Sequence, residues 1–399
     1  MIPPRPVRIA IIGGDIGGLA AAAFLRRAGL RAIIYEQAPA LTEVGAGLMI
    51  APNAARLLRR LGTMDRFLER AVPLEVGWEF RRWDDGRVLS AEDLTGACER
   101  LYGERCYAIH RADLVDVIKA AVPDSWIRLG MRCTSISADA HGARLAFADG
   151  TQAKADIVVG ADGLHSVVRG AVTTLSPAEN SGICAFRAVV PADRAPAFAR
   201  RRAQTLWIGP DHHLVHYPIS ADRAVNLVAF APAGEYREES WSATTTVEEL
   251  LAEFRGWDPR LRELIRAATR PGRWALLDRA PLERWSSGRL TLLGDAAHPM
   301  FPFYAQGAAQ SIEDAAVLAA CLAGDPDDPE RALRRYEALR IERTTRLQEE
   351  SRRRAHINHL PDGPEQEARD EAMQISDPLV RSGWIYGYDA EAAVREAAV

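Results

Sequence analysis

No two of the five cysteines, Cys98, Cys106, Cys133, Cys184 and Cys321, stand in a C-x-x-C spacing. The usual signatures of a structural zinc site and of a redox-active disulfide are therefore missing, and a reducing compartment is expected. The nine histidines include no H-E-x-x-H pair, so no metal candidate arises. Basic surplus is lacking too: 50 Lys and Arg against 54 Asp and Glu give a net charge of −4. The basic runs at 200–202 and 352–354 suit solvated surface, and nucleic acid is not an expected partner. Apolar runs fall short of the roughly 20 residues that span a bilayer, and no hydrophobic signal precedes the first of them. A soluble, cytoplasmic protein without membrane contact is expected. Internal repeats and low-complexity segments are absent as well.

What is present is a chain of 399 residues, 48% hydrophobic, long enough for two domains around a large core. Three glycine-containing segments punctuate it: Gly13-Gly14-Asp15-Ile16-Gly17-Gly18, Asp162-Gly163-Leu164-His165-Ser166-Val167-Val168-Arg169, and Gly294-Asp295-Ala296-Ala297-His298-Pro299. Each follows an apolar run (Val7 to Ile12, Ile157 to Val159, Leu290 to Leu293), where a buried parallel strand would give way to a loop. Ligands of open α/β sheets collect at that edge.

The first segment opens the alanine-rich helical stretch Leu19 to Ala28, whose free N–H groups and dipole would face an anion. A second strand, Arg31 to Tyr35, ends at Glu36, about 20 residues on, where a dinucleotide-binding unit places an acid on a ribose. The position that lets backbone approach a pyrophosphate is here Asp15. At about 4 Å and an effective dielectric near 20, its charge would repel a phosphate by roughly 4 kcal/mol. The alternative is that Asp15 turns away and serves as a helix N-terminal acid.

With these segments in place, the chain resembles the single-component FAD-dependent aromatic hydroxylases: the group of para-hydroxybenzoate, salicylate and 3-hydroxybenzoate 6-hydroxylases and 6-hydroxynicotinate 3-monooxygenase. The likeness runs from about Val7 to the closing Trp384-Ile385-Tyr386-Gly387-Tyr388-Asp389. It implies an α/β fold with a Rossmann-like FAD-binding domain, non-covalent FAD, and NADH or NADPH as a transient reductant. Gly13, Asp15, Gly17, Gly18, Glu36, Arg111, Asp162, Gly294, Asp295 and Gly307 become the cofactor-binding candidates. Glu36 resembles the adenosine-ribose ligand, and Arg111 the arginine lying along the FAD; a helix-capping charge is the alternative for Arg111. Asp162 resembles a contact to flavin and nicotinamide, and Asp295 the ribityl ligand. The dipole of a helix starting at Gly307 would favour negative charge on the flavin, although a buried packing helix suits the same stretch.

The expected organisation is discontinuous: FAD-binding domain at 1–75, 98–180 and 275–345; an inserted, mostly antiparallel substrate sheet at 76–97 and 181–274; and a C-terminal helical segment at 346–399. Strands are expected at Val76 to Trp83, Ile183 to Val190, Thr205 to Ile208, His212 to Pro218 and Ala224 to Ala231, their alternation suiting one covered face. A second glycine-rich nucleotide unit is missing, which disfavours the disulfide-type flavin reductases.

In a strand over 212–218, His213, Val215 and Tyr217 share one face, with His212, Leu214 and His216 on the other. The pair His213 and Tyr217 resembles the histidine and tyrosine that flank the phenolic ring in the family. Histidine titrates near neutrality and can take a phenolic proton, which makes the ring nucleophilic toward the electrophilic oxygen of a flavin C4a-hydroperoxide. A satisfied structural histidine is the alternative at either position. The loop His298-Pro299-Met300-Phe301-Pro302-Phe303-Tyr304-Ala305-Gln306-Gly307 matches the family's H-P-x-x-P-x-x-A-Q-G, which places Pro299 by the reacting flavin edge. Phe301, Phe303 and Tyr304 are candidate walls, or core. Met49, after the Gly45-Ala46-Gly47 turn, and Phe303 replace a polar residue and a histidine of the nicotinate relatives, which disfavours 6-hydroxynicotinate. Arg187 is a candidate for a substrate carboxylate. The expected function is hydroxylation of a small phenolic or N-heteroaromatic ring with O2 and NAD(P)H, by a monomer or homodimer. Two alternatives are an epoxidase or halogenase of the same fold, although the W-x-W-x-I-P motif is missing, and a flavin-free binding protein in which Asp15 has removed the cofactor.

Overall fold

Ile9–Ile12 and Ile157–Gly160 are buried along their whole length, as strands apolar on both faces must be, and they lie side by side at the centre of a six-stranded sheet. The computed structural model describes residues 7–41, 46–174, 177–234, 243–375 and 377–397. The sheet runs Ser286–Ser287, Leu290–Leu292, Ile157–Gly160, Ile9–Ile12, Ala32–Tyr35, Ile127–Arg128, parallel except for its short first edge strand. From Ile9–Ile12 the chain leaves to one side and later returns on the other. The order therefore reverses beside that strand, and the three glycine segments leave the same edge. Helix Ile16–Arg27 buries Leu19 to Leu25 on this sheet, and helix Gly307–Gly324 shares the same core.

The second sheet has seven strands in the order Thr269–Asp278, Glu179–Pro191, Ala224–Pro232, His212–Ile219, Ala203–Gly209, Val76–Arg82, Val88–Asp93. All five expected strands are found in it. The sheet is mostly antiparallel, as expected, with one parallel pair, Ala203–Gly209 and Val76–Arg82. One expectation needs correction: the sheet is covered on both faces, and all seven residues of Ala203–Gly209 are buried. Helices Val247–Glu253 and Pro259–Ala267 cover one face. Phe301, Phe303 and Ala355 pack on the other, at one end of the sheet, and Met373 further along. Thr269–Asp278 is one continuous strand of this sheet and passes through residue 275, where the sequence reading returns the chain to the FAD-binding part.

Two small sheets were not expected. Cys133–Asp139, Gly142–Phe147 and Gln152–Ala155 form an antiparallel meander. Gly47–Ile50, Tyr107–His110 and Val72–Pro73 form another, which carries Met49 and delivers Arg111 at the start of helix Arg111–Lys119. The C-terminal part is helical: Pro329–Asn358, then Pro364–Ile375, Pro378–Arg381, Gly383–Tyr386 and Ala390–Glu396. No helix among the described residues is long and apolar enough to cross a membrane.

Candidate active site

The first turn is built of glycine because nothing larger fits. Gly13 has φ +105° and a Cβ there would stand 2.2 Å from the Ala161 carbonyl oxygen; a Cβ on Gly18 would stand 2.0 Å from the Gly13 oxygen. Gly17 abuts Leu293 in the same way. The first and second strands are tied by Glu36, whose carboxylate accepts from Gly14 N at 2.6 Å and Ala38 N at 2.8 Å.

Asp15 occupies the N-cap of Ile16–Arg27, at the helix N-terminus, but its side chain makes no capping hydrogen bond. Its Oδ2 accepts from Arg111 Nη2 instead. A salt bridge thus joins two cofactor candidates 96 residues apart in sequence, and the arginine offsets the charge expected to repel a phosphate. Asp15 Oδ1 is buried without a hydrogen-bond partner.

Asp162 is spent largely on its own loop: Oδ1 accepts from Ser166 Oγ at 2.5 Å and Oδ2 from Val167 N at 2.8 Å. Gly163 adopts φ +72° with open space where a Cβ would stand. Gly294, at φ +61°, donates its N–H to Asp314 Oδ2 at 2.9 Å, and His298 Nε2 meets the same oxygen at 2.6 Å. Burial pushes the Asp314 carboxyl up, but His298 and Arg340 more than offset this and hold it at about 2. Asp295, one residue along, is exposed to solvent yet crowded by protein. That crowding raises its pKa; His298 and Arg111 pull it down and Asp15 pushes it up, so the three candidates Asp15, Arg111 and Asp295 share one electrostatic space. A Cβ at Gly307 would meet nothing within 4 Å, so the helix Gly307–Gly324 begins on open space.

The strand His212–Ile219 turns His213, Val215 and Tyr217 toward this side. His213 stacks on Phe230 at 4.4 Å and meets Phe303 edge-on at 5.1 Å; Phe301 lies 5.5 Å from Phe303. Tyr217 packs against the strand bearing Met49 so closely that a Cβ on Gly47 would stand 2.6 Å from its ring. Gly45 of that turn lies outside the described residues. Burial lowers the Arg187 pKa to about 10, with Tyr217 raising it and Arg111 lowering it; Arg187 therefore stands between the substrate face and the cofactor segments, its guanidinium 4.9 Å over Trp274. Pro299 is buried, its carbonyl held by Gln348 Nε2 at 2.8 Å. Tyr304 is drawn to the other side of the loop, beside Trp78 at 6.1 Å and under Arg354 at 4.7 Å, so it does not join Phe301 and Phe303 around His213.

His216 faces the opposite core and accepts from Trp207 Nε1 at 3.2 Å, a structural contact, while its Nδ1 is buried without a partner. The sequence reading missed two residues. Arg169 is 1% exposed and donates to the carbonyl oxygens of Leu164 (2.6 Å), Asp295 (2.7 Å) and Ala296 (2.7 Å), clamping two glycine loops together. Its signal was the Ser166-x-x-Arg169 ending of the second segment. His359, whose Nε2 is 2.6 Å from His213 Nδ1, carried no local signal.

The glycine turns that admit no Cβ and the exposed carboxylate of Asp295 fit a dinucleotide cofactor of the FAD type. Comparison with known proteins agrees. A family model described as an FAD binding domain matches residues 6–351. A 3-amino-4-hydroxybenzoate 2-monooxygenase of Streptomyces platensis is 44% identical over 386 residues, 97% of each chain. A 6-hydroxynicotinate 3-monooxygenase of Pseudomonas fluorescens is 36% identical over 345 residues, 86% of this chain and 89% of the relative. Among solved structures, HpxO of Klebsiella pneumoniae, complexed with FAD and uric acid, superposes with a TM-score of 0.83 at 27% identity over 97% of each chain.

Proposed function

This chain belongs to the FAD binding domain family and is an FAD-dependent aromatic monooxygenase, and we propose that it hydroxylates a small phenolic benzoate, with 3-amino-4-hydroxybenzoate as the model ring. That ring is the one named for the Streptomyces relative, 44% identical over nearly the whole chain. The observation that carries the mechanism is the shared face of His213 and Tyr217, turned to the loop that follows Asp295. In this reading residues 1–75, 98–180 and 275–345 hold FAD, 76–97 and 181–274 present the substrate, and 346–399 close over the sheet.

Gly13, Gly17 and Gly18 bring backbone close to the cofactor, Glu36 holds its adenosine ribose, Arg111 lies along it, and Asp295 takes the ribityl chain. When bound, the reduced flavin activates dioxygen and supplies an electrophilic oxygen atom. The protein's part is to prepare the ring. His213 Nε2 accepts the phenol proton, Tyr217 orients the ring, Arg187 pairs with its carboxylate, and Phe301, Phe303 and Met49 exclude water. NADH or NADPH visits transiently, and the enzyme works in the cytoplasm as a monomer or homodimer.

The test is purified yellow protein supplied with 3-amino-4-hydroxybenzoate, O2 and each nicotinamide in turn, followed by product mass. A ring one oxygen heavier is expected. Nicotinamide oxidation that yields only peroxide with this ring, but product with 6-hydroxynicotinate, would overturn the substrate class. Asp295→Ala should fold but lose flavin, since a charge-assisted hydrogen bond is worth about 1.5–3 kcal/mol, roughly 10- to 100-fold in Kd. Full FAD retention would remove Asp295 from the site.

A further inference from the structure

A base must take a proton, and His213 is poorly placed to keep one. It is 2% exposed, stacked on Phe230 and met edge-on by Phe303, and burial drives its pKa well below the ordinary value, with His359, His212 and Arg354 adding to the effect. An imidazolium enclosed by phenyl rings and facing an arginine is costly to form. Yet the ring is not isolated. His213 Nδ1 lies 2.6 Å from His359 Nε2.

His359 differs from His213 in two ways. It is half-buried, and the neighbouring His356 is exposed, so the pair leads from the apolar interior to the surface. It is also the C-cap of the 30-residue helix Pro329–Asn358, where unpaired carbonyls favour a cation. Its backbone is fixed on both sides: its N–H donates to the His356 carbonyl at 3.1 Å, and its carbonyl accepts from Asp211 N at 3.0 Å. Burial, His212 and His356 still hold the His359 pKa down to about 4, so it too passes a proton on more readily than it stores one.

We propose that His359 is a proton relay acting through His213. As the phenol O–H bond breaks and its proton joins His213 Nε2, the Nδ1–H of His213 passes to His359 Nε2, and the Nδ1–H of His359 leaves to water. His213 ends as the neutral Nε2–H tautomer, His359 as the neutral Nε2–H tautomer, the substrate as phenolate and the solvent with one proton. No charge is left on the buried ring. The neutral starting tautomers are restored by the reverse transfers when the product phenolate is reprotonated. This rests on His213 being the base that meets the phenol.

The experiment adds 3-amino-4-hydroxybenzoate to FAD-loaded protein without nicotinamide and follows, by stopped flow, phenolate absorbance and proton release to an indicator dye. In His359→Ala, both should slow by roughly tenfold or more, short of the about 10²- to 10⁴-fold that full general-base assistance is worth, with flavin content unchanged. Imidazole should restore the rate and 1-methylimidazole, which cannot pass a proton between its nitrogens, should not. His359→Gln, which keeps a hydrogen-bonding amide but cannot relay, should be as slow as alanine; it also decides the matter if the alanine variant fails to fold. Wild-type rates in His359→Gln with slow rates in His213→Ala would overturn the relay and leave the base standing. Wild-type rates in His213→Ala would overturn the base, and the relay with it.

Discussion

His213 and His216 are three residues apart on one strand and both are buried, at 2% and 1% exposure. Burial pushes both imidazoles down. What separates them is the partner. His216 accepts from the indole N–H of Trp207, a donor that never titrates, so the bond can only hold the strand in place. His213 meets another imidazole, which can both give and take a proton. Equal burial thus yields a histidine held by a non-titrating donor on one face and a histidine paired with a second imidazole on the other.

The largest effect expected of any test is on the His213 face. His213→Ala should retain FAD and lower the ratio of product to NAD(P)H consumed, by up to about 10²- to 10⁴-fold in the rate of oxygen transfer. Higher pH should partly rescue it by supplying phenolate. Loss of coupling in His216→Ala alone would reverse the two faces and break the comparison. Next in size is stability: His216→Ala leaves the buried Trp207 N–H unpaired, at a cost of about 1–3 kcal/mol in urea unfolding, with coupling little changed. The pH dependence sharpens the same point. Burial first, and then Arg81 and Arg201, hold the folded His216 at about 3 against 6.5 unfolded, with Glu79 pulling the other way. The neutral ring is the folded one. Its contribution is therefore complete above pH 6.5 and is lost as pH falls toward 3, at up to about 1.4 kcal/mol per pH unit. His216→Gln should show a correspondingly shallower loss of stability over that window; an unchanged slope would mean the ring already carries its proton in the native state.

The smallest effect is expected at Asp15. Its pair with Arg111 is half-exposed, and such pairs contribute only about 0–1 kcal/mol. Asp15→Gly should bind FAD at least as tightly as the parent, gaining at most roughly fivefold in Kd as Arg111 is released. A large loss of FAD would show that the carboxylate itself holds the cofactor.

Much of the central sheet was legible because its strands are apolar on both faces, and the three glycine segments mark where those strands end. The face shared by His213 and Tyr217 followed from the period of a strand alone. Side-chain pairings across long separations did not. Nothing near Asp15 announces Arg111, and nothing near His213 announces a helix terminus 146 residues away. The second covered face of the large sheet was hidden for another reason: Leu206 and Trp207 point in opposite directions and are both buried, and alternation fades where both sides are dry. The meander over residues 133–155 was missed because polar, exposed residues such as Thr134 and Ser135 dilute the apolar period there.

Arg169 bears on how the enzyme is made. Its guanidinium joins the loop at residues 163–164 to the loop at 295–296, across some 126 residues of chain. A ribosome that has released only the first two glycine segments has produced strands, turns and Glu36, but not the Asp295 and Ala296 carbonyls that Arg169 also holds. If the two loops hold FAD as proposed, cofactor capture is a late event in synthesis, and an aborted chain ending before residue 294 should emerge colourless, without sequestering flavin from the cell.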